Sequence, residues 1–230
     1  MTWILPAARL DDMTSKANWL IPTGLLTLSF VPVIAGSLRL TELLGGPAVV
    51  PDGDRVSASP VALVLHIVSV TVFSVLGAFQ FAPGFRRRRR SWHRIAGRIV
   101  APCGMVAAVT GLWLTLFLAP AAIDSRFLVV VRVVVATAMI SSLVLGLAAI
   151  LRRDFQQHRA WMIRGYAIGM GAGTQFFTQA VWLLAAGPIT VPGRNITMAA
   201  GWLINVAAAE LIIRRGTRRP ARRPVPAAAA

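Results

Sequence analysis

Six long apolar stretches divide this sequence, and they constrain its fold more than any other feature. They cover residues 19–38, 61–82, 99–119, 127–150, 161–186 and 196–213, and each is bounded by Pro, Gly or a charged residue. The hydrocarbon core of a bilayer is about 30 Å thick and requires about 20 apolar residues per helix. The sequence therefore predicts an all-α integral membrane bundle of about six transmembrane helices, with predicted helices two to five as its four-helix core.

The composition favours a membrane protein and argues against other classes. Hydrophobic residues make up 56% of the chain and charged residues 14%, which is too apolar for a domain with a fully hydrated surface. The net charge of +16 lies in short loops between apolar stretches and not on a water-soluble face, so we predict no nucleic-acid partner. The single cysteine, Cys103, lies within an apolar stretch and is predicted to be a buried core thiol.

The basic residues predict the orientation of the bundle. Of the 24 Lys and Arg residues, 19 lie in or next to four segments: before helix one, between helices two and three, between helices four and five, and after helix six. Because Lys and Arg in short loops resist translocation, we expect this side, with both termini, to face the cytoplasm. Four acidic residues fall in the opposite loops: Glu42, Asp52, Asp54 and Asp124.

The chain is predicted to form one transmembrane domain, residues 1–213, followed by a basic tail, residues 214–230. The tail contains Arg218-Arg219-Pro220 and ends in an alanine run, a low-complexity composition that predicts disorder. The loop around Pro51-Asp52-Gly53-Asp54 is predicted to be a solvated turn region. The first apolar stretch is long and lacks a clear cleavage site, so we interpret it as a retained helix.

Helices two and three resemble helices four and five in their pattern. Each pair contains a basic loop followed by a His-Arg step, His93-Arg94 in the first and His158-Arg159 in the second. This pattern suggests a parallel repeat about an axis along the membrane normal. Small residues recur at helical spacing on the third and fifth helices, which predicts close helix packing at the centre of the bundle. They are Gly97, Ala101, Gly104, Ala108, Gly111, Gly165, Gly169 and Gly173.

A polar side chain within the hydrocarbon is costly, so it is expected to have a polar partner or a functional role. In the predicted outer half these groups are His66, Arg132, Gln175 and Gln179, where the two glutamines share one helix face. One interpretation is a polar site in this half. The other is structural: His66 bonds a neighbouring helix, and Arg132 extends toward Asp124 or a lipid phosphate.

The predicted cytoplasmic half also has two interpretations. Each His-Arg step is either a helix start that binds lipid phosphate at the interface, or part of an anion or cofactor-propionate site. Glu210 is expected to pair with Arg214 one turn further on. The candidate cofactor-binding residues of the whole chain are His66, His93, His158, Arg94, Arg98, Arg159, Arg164 and Gln80.

Motifs of the common hydrolase and nucleotide-binding classes are missing from the sequence. It contains no HExxH, Walker loop or nucleophile elbow, and its predicted spans hold no paired carboxylates. Glu210 is the only acidic residue within an apolar stretch, which argues against a proton relay driven by carboxylates. The sequence leaves open whether the protein is an enzyme.

Several segments together resemble a bacterial membrane family catalogued as domain of unknown function 2306. They are His66, Gly77-Ala78-Phe79-Gln80-Phe81-Ala82-Pro83, Arg86, His93 to Arg98 and His158 to Ala167. The resemblance covers roughly residues 60–180 and implies a multi-pass protein of the bacterial inner membrane, with no assigned activity. Family members carry an arginine further along the fifth helix, where this chain has Gly173-Thr174-Gln175-Phe176.

Two functional hypotheses follow. The first is a membrane-embedded cofactor or small-ligand site, with haem b or a quinone as the cofactor of an electron-transfer protein that uses His66, His93 and His158. A loose similarity to cytochrome b561-like bundles suggests the haem. The second is a non-enzymatic protein: either a subunit whose partners are membrane lipids, with anionic headgroups at the cytoplasmic face, or a small transporter using Gln175, Gln179 and Arg132.

Overall fold

The structure is a computed structural model that describes residues 7–50, 58–82 and 89–217. The predicted turn at Pro51–Asp54, the arginines at positions 86–88 and the tail from Arg218 lie outside the described residues. The described residues form only helices: α1 (Ala7–Leu43), α2 (Pro60–Gln80), α3 (Arg90–Phe117), α4 (Arg126–Leu151), α5 (Phe155–Gly169), α6 (Gly171–Ala186) and α7 (Val191–Thr217). An all-α membrane bundle is thereby confirmed.

Five of these helices are long and apolar enough to cross a bilayer: α1 from Trp19, α2, α3, α4 and α7. The predicted fifth span differs, because it consists of two shorter helices, α5 and α6, with only Met170 between them. Gly169 and Gly171 flank this residue, and glycine is a poor helix former because its backbone loses the most conformational freedom. The break therefore falls at residues with low helix propensity.

Helix α7 shows that α5 and α6 together make one crossing. Its partners advance steadily along both helices as α7 runs backwards: Arg164 contacts Glu210, Thr174 contacts Asn205, and Thr178 contacts Thr197. This antiparallel register continues across Met170 without a shift. The described residues therefore make six antiparallel passes along the bundle, of which five are single helices long and apolar enough to span a membrane, and α1 begins at the end of the bundle where α7 ends.

The remaining helices pair as antiparallel hairpins. Helix α2 packs on α3 and α4 packs on α5, while α1 lies against α2 and α6. The α4–α5 turn is only three residues long, and Arg153 adopts a left-handed backbone conformation there (φ 60°). Asp154 then caps α5 by accepting a hydrogen bond from the Gln157 backbone N–H (2.9 Å). This cap fixes the position of His158, one turn further on.

The centre of the bundle is filled by a phenylalanine ring between two glycines. A Cβ added at Gly104 or Gly169 would come within 2.5 Å of the Phe73 ring, so both positions need glycine for this close packing. Tyr166 packs beside Phe73, with ring centroids 5.3 Å apart, and its hydroxyl donates to the Ser74 carbonyl (2.7 Å). Leu143 is 1% exposed at the same core. The small residues predicted from spacing thus make room for side chains of neighbouring helices.

The helices extend beyond the apolar stretches that predict them. Helix α3 begins at Arg90 and α5 at Phe155, so both His-Arg steps lie inside helices and not in loops. One end of the bundle, called the basic end below, carries most of the described arginines. They are Arg89, Arg90, Arg94, Arg98, Arg152, Arg153, Arg159, Arg214 and Arg215. That this end faces the cytoplasm stays a prediction.

Candidate functional site

His66 joins α2 to α3. Its Nδ1 lies 3.0 Å from the Ala107 carbonyl oxygen and 3.1 Å from Thr110 Oγ1. Because a carbonyl oxygen only accepts, Nδ1 carries the proton in the neutral ring. Gly111 leaves space for the ring, since a Cβ there would lie 3.1 Å from His66 Cε1. Of the two interpretations of His66, the structure shows the hydrogen bond to a neighbouring helix.

An ion cluster closes the end of the bundle opposite the basic end. Asp124, in the α3–α4 connection, accepts a hydrogen bond from Arg132 of α4 and another from Arg194 of α7, both at 2.6 Å. Its carboxylate is 1% exposed. Burial alone would raise the pKa of Asp124, but the hydrogen bonds and charges of the two arginines outweigh it and lower the pKa below its ordinary value. Asp124 therefore stays ionised and ties three segments together.

The two predicted outer-half glutamines both contact α7. Gln175 donates to the Met198 carbonyl (3.1 Å), and Gln179 Nε2 lies 3.7 Å from Met198 Sδ while it also donates to the Gln175 carbonyl of its own helix (3.2 Å). Gln175 is 5% exposed and packs against Gly201. Interhelical hydrogen bonds such as that of Gln175 stabilise helix association in lipid. These amides thus contribute to the packing of α6 on α7, and a path that they line with Arg132 stays a prediction.

His158 links the two helices of its own hairpin. Its Nδ1 lies 2.8 Å from the Gly146 carbonyl oxygen of α4, so Nδ1 carries the proton in the neutral ring, as in His66. The equivalent His93 is half-buried in the first turn of α3. Because the two His-Arg steps are equivalent in the apparent repeat, the sequence also predicts that His93 and His158 converge across the bundle, and this stays a prediction.

The remaining candidates near the basic end differ in exposure. Arg94, Arg98 and Arg159 are exposed. Gln80 is half-buried in the last turn of α2, and its Nε2 is buried without a hydrogen-bond partner among the described residues. The exposed arginines have the charge and access to meet anions at the membrane surface.

Arg164 and Glu210 form a two-bond ion pair between α5 and α7. Arg164 Nε donates to Glu210 Oε1 (2.5 Å), and Nη2 donates to Oε2 (3.0 Å). The Arg164 guanidinium also lies over the Trp161 ring, 4.6 Å from the centroid, a favourable cation–π contact. The sequence pattern predicted Arg214 as the partner of Glu210. The structure shows that Glu210 forms its hydrogen bonds with Arg164 of another helix, while Arg214 interacts with Glu210 through its charge.

An open cavity of about 360 Å³ at the surface of the bundle adjoins this ion pair. It lies between α4, α5 and α7, and apolar side chains form most of its wall. The lining residues are Ala138, Ser141, Ser142, Leu145, Trp161, Arg164, Ile168, Val206 and Glu210. Sequence reasoning named Arg164 but missed Trp161 and the two serines, whose place beside Arg164 depends on the α4–α5 register.

The histidines do not frame a slot for haem within the described part of the chain. Phe73, Leu143 and Tyr166 fill the space between α2, α3, α4 and α5, where a haem shared by these helices would lie. The cavity beside Arg164 has no histidine in its lining. The described residues also contain no group of three or more His, Cys, Asp or Glu side chains suited to a metal ion. The packing therefore does not fit a haem at the bundle centre.

Comparison with known proteins identifies a family. A family model described as "Predicted membrane protein (DUF2306)" matches residues 63–213, well over half of the chain, including all three histidines and the Arg164–Glu210 pair. No curated protein and no solved structure matches the chain. Because the match covers well over half of the chain, the chain belongs to the DUF2306 family of predicted membrane proteins.

Proposed function

We propose that the protein binds a membrane-soluble quinone in the cavity between α4, α5 and α7, with the quinone head group beside Arg164. The observation that carries this proposal is the Arg164–Glu210 pair set into a largely apolar cavity. Binding sites for small molecules are typically concave and mostly apolar, with a few placed polar groups. The cavity volume of about 360 Å³ lies within the usual range for such sites.

The donor chemistry of Arg164 suits a quinone carbonyl. A guanidinium has five N–H groups, and the two hydrogen bonds to Glu210 use two of them. Three are left for other acceptors, and a quinone oxygen accepts hydrogen bonds but carries no charge. The Trp161 ring, already in contact with the guanidinium, supplies an aromatic face for a flat head group.

The ion pair itself favours a neutral ligand over a phosphate. Glu210 already binds Arg164 through both carboxylate oxygens, so an anion beside Arg164 would lie close to the negative charge of Glu210. A quinone oxygen accepts a hydrogen bond without adding a charge.

A second candidate function is interaction with anionic lipids at the basic end. Arg94, Arg98 and Arg159 are exposed there, at the starts of α3 and α5. Basic clusters beside transmembrane helices attract anionic headgroups, at about 1 kcal/mol per residue near the surface. This role is compatible with quinone binding, because none of these arginines lines the cavity.

Quinone binding is tested by fluorescence in nanodiscs. Decylubiquinone is titrated into nanodiscs that contain the protein, and quenching of tryptophan emission is recorded. We expect a saturable component that disappears in Trp161→Phe and weakens about tenfold or more in the double variant Arg164→Met/Glu210→Met, which removes the polar groups without leaving an unpaired charge. Arg159→Met, an exposed position on the same helix, is the matched control and should bind as the parent does. An unchanged saturable component in the double variant would contradict the proposal.

A further inference from the structure

The Asp124 cluster carries more positive charge than its structural role requires. Two guanidiniums share one carboxylate, so Arg132, Arg194 and Asp124 together have a net charge of +1. A single carboxylate balanced by one arginine would already be neutral, as in the Arg164–Glu210 pair. Among the described residues the second arginine therefore has no carboxylate of its own, and its charge can balance a further anion.

Most guanidinium N–H groups of the cluster also have no acceptor among the described residues. Each guanidinium has five N–H donors, and in the described residues each gives one to Asp124: Arg132 through Nη1 and Arg194 through Nε. The side chains of Arg132 and Arg194 are 23% and 21% exposed, while that of Asp124 is 1% exposed. The carboxylate is thus buried, whereas the two arginine side chains are partly exposed.

Asp124 holds the two arginines in fixed positions. It accepts on Oδ2 from one side and on Oδ1 from the other, so the guanidiniums converge on one point although they come from different helices. Ser125, the next residue, caps α4 through the Leu128 N–H and donates to Asn195 beside Arg194 (2.7 Å). Two oriented guanidiniums bind phosphate better than two independent ones, because less side-chain freedom is lost on binding.

The location of the cluster matches the level of lipid headgroups. Asp124 and Arg194 lie at helix ends opposite the basic end, and Arg132 is six residues into α4, about 9 Å along the helix. Trp113 and Phe117 lie in the last two turns of α3 at the same end, with ring centroids 4.2 Å apart, and aromatic residues concentrate at membrane interfaces.

We propose that Arg132 and Arg194, oriented by Asp124, bind one phosphate group at this end of the bundle. The chemistry is that of a phosphodiester of a phospholipid headgroup or of free phosphate. This site is separate from the quinone site, since no residue is shared between the two. A failed quinone experiment therefore leaves it intact, and the reverse also holds.

The test measures ligand-dependent thermal stability in an uncharged detergent without phosphate. Dihexanoyl phosphatidylglycerol and inorganic phosphate are added separately, because a ligand that binds the folded state raises the melting temperature. We expect the lipid to raise it in the parent. A similar rise with inorganic phosphate at the same concentration would assign the site to phosphate itself, and a rise with the lipid alone would assign it to a headgroup with its chains.

Variants separate this site from the arginines of the basic end. In Arg194→Lys and Arg132→Lys the ammonium keeps the charge beside Asp124, so both should fold, but it lacks the planar fork. We expect the apparent lipid affinity to fall about tenfold in each. Arg126→Lys, an exposed position at the same end, should match the parent. The proposal is overturned if neither ligand stabilises the parent, or if all three lysine variants respond as the parent does.

Discussion

The two interhelical ion clusters of this bundle differ in charge balance and in exposure. Arg164 and Glu210 form a one-to-one pair whose side chains are 28% and 32% exposed, beside a cavity. Asp124 is 1% exposed and shared by two arginines. An open, balanced pair can offer hydrogen bonds to a neutral ligand at small cost to the fold. The buried Asp124 carboxylate joins three segments and so stabilises the fold, and only its two arginine partners are partly exposed.

The largest expected effect is the loss of the Asp124 carboxylate. Asp124→Asn leaves Arg132 and Arg194 close together without their counter-charge, and breaking a buried ion pair in this way costs about 3 kcal/mol or more. Glu210→Gln is the matched change at the more exposed Arg164–Glu210 pair and should cost less, because the guanidinium there is less buried and keeps a polar amide partner. Thermal unfolding of the two variants in detergent measures the difference. Equal losses would mean that the clusters do not differ in their contribution to stability.

The next largest expected loss of stability follows from substitution of the core glycines. Gly104→Leu and Gly169→Leu should each destabilise the bundle by about 1 to 3 kcal/mol, because the added side chain collides with Phe73.

Gly97→Leu is the control for the glycine variants. Gly97 lies on the same helix as Gly104, and a Cβ there would have no atom of a neighbouring segment within 4 Å. This variant should unfold at the temperature of the parent or slightly above it, because leucine is a better helix former than glycine. If Gly97→Leu lost as much stability as Gly104→Leu, contact with Phe73 would not be the cause of the loss.

Acid should act on the Asp124 cluster in a defined pH range. The pKa of Asp124 is lowered in the folded protein, so its contribution to stability is complete above the ordinary value of about 4 and is lost as the pH falls through the lowered folded value. The difference in melting temperature between the parent and Asp124→Asn should thus be constant from pH 7 to about 5 and shrink at lower pH. A difference that shrank between pH 7 and 6 would contradict the assignment.

Membrane orientation decides which leaflet each cluster meets, and a labelling experiment without effect on stability tests it. In a Cys103→Ser background, Gly53→Cys should react with an impermeant thiol reagent added outside, and Ser91→Cys should not, because the basic end is predicted to be cytoplasmic. The reverse pattern would place the Asp124 cluster at the cytoplasmic face.

More of the fold than of the candidate site could be predicted from the sequence, because helices depend on local sequence and the site depends on helix packing. Helix number follows from runs of apolar residues about 20 long, which are a local property of the chain. The break at Met170 is less visible, because Gly169, Gly171 and Gly173 occur at a spacing that equally suits close packing. Glycine placement predicted a packed centre, but only the three-dimensional register shows that Phe73 fills the space beside Gly104 and Gly169.

The polar residues show the limit of sequence reasoning more clearly. Glu210 has Arg214 one turn away, so local spacing predicts that pair. The structure shows that Glu210 binds Arg164, 46 residues earlier, and this choice depends on how α7 packs on α5. No sequence pattern indicated a role for Arg194, because Arg194 contacts Asp124 only through the packing of α7 against the α3–α4 connection.

Photoaffinity labelling with an azido-quinone tests the central claim, quinone binding beside Arg164, most directly. The protein is illuminated in nanodiscs with the probe, and the labelled peptides are identified by mass spectrometry. We predict labelling of peptides from α5 and α7 that contain Trp161 and Val206, reduced by excess decylubiquinone. Labelling confined to the α2–α3 hairpin around His66, or spread over all lipid-facing helices and unaffected by competition, would contradict the account.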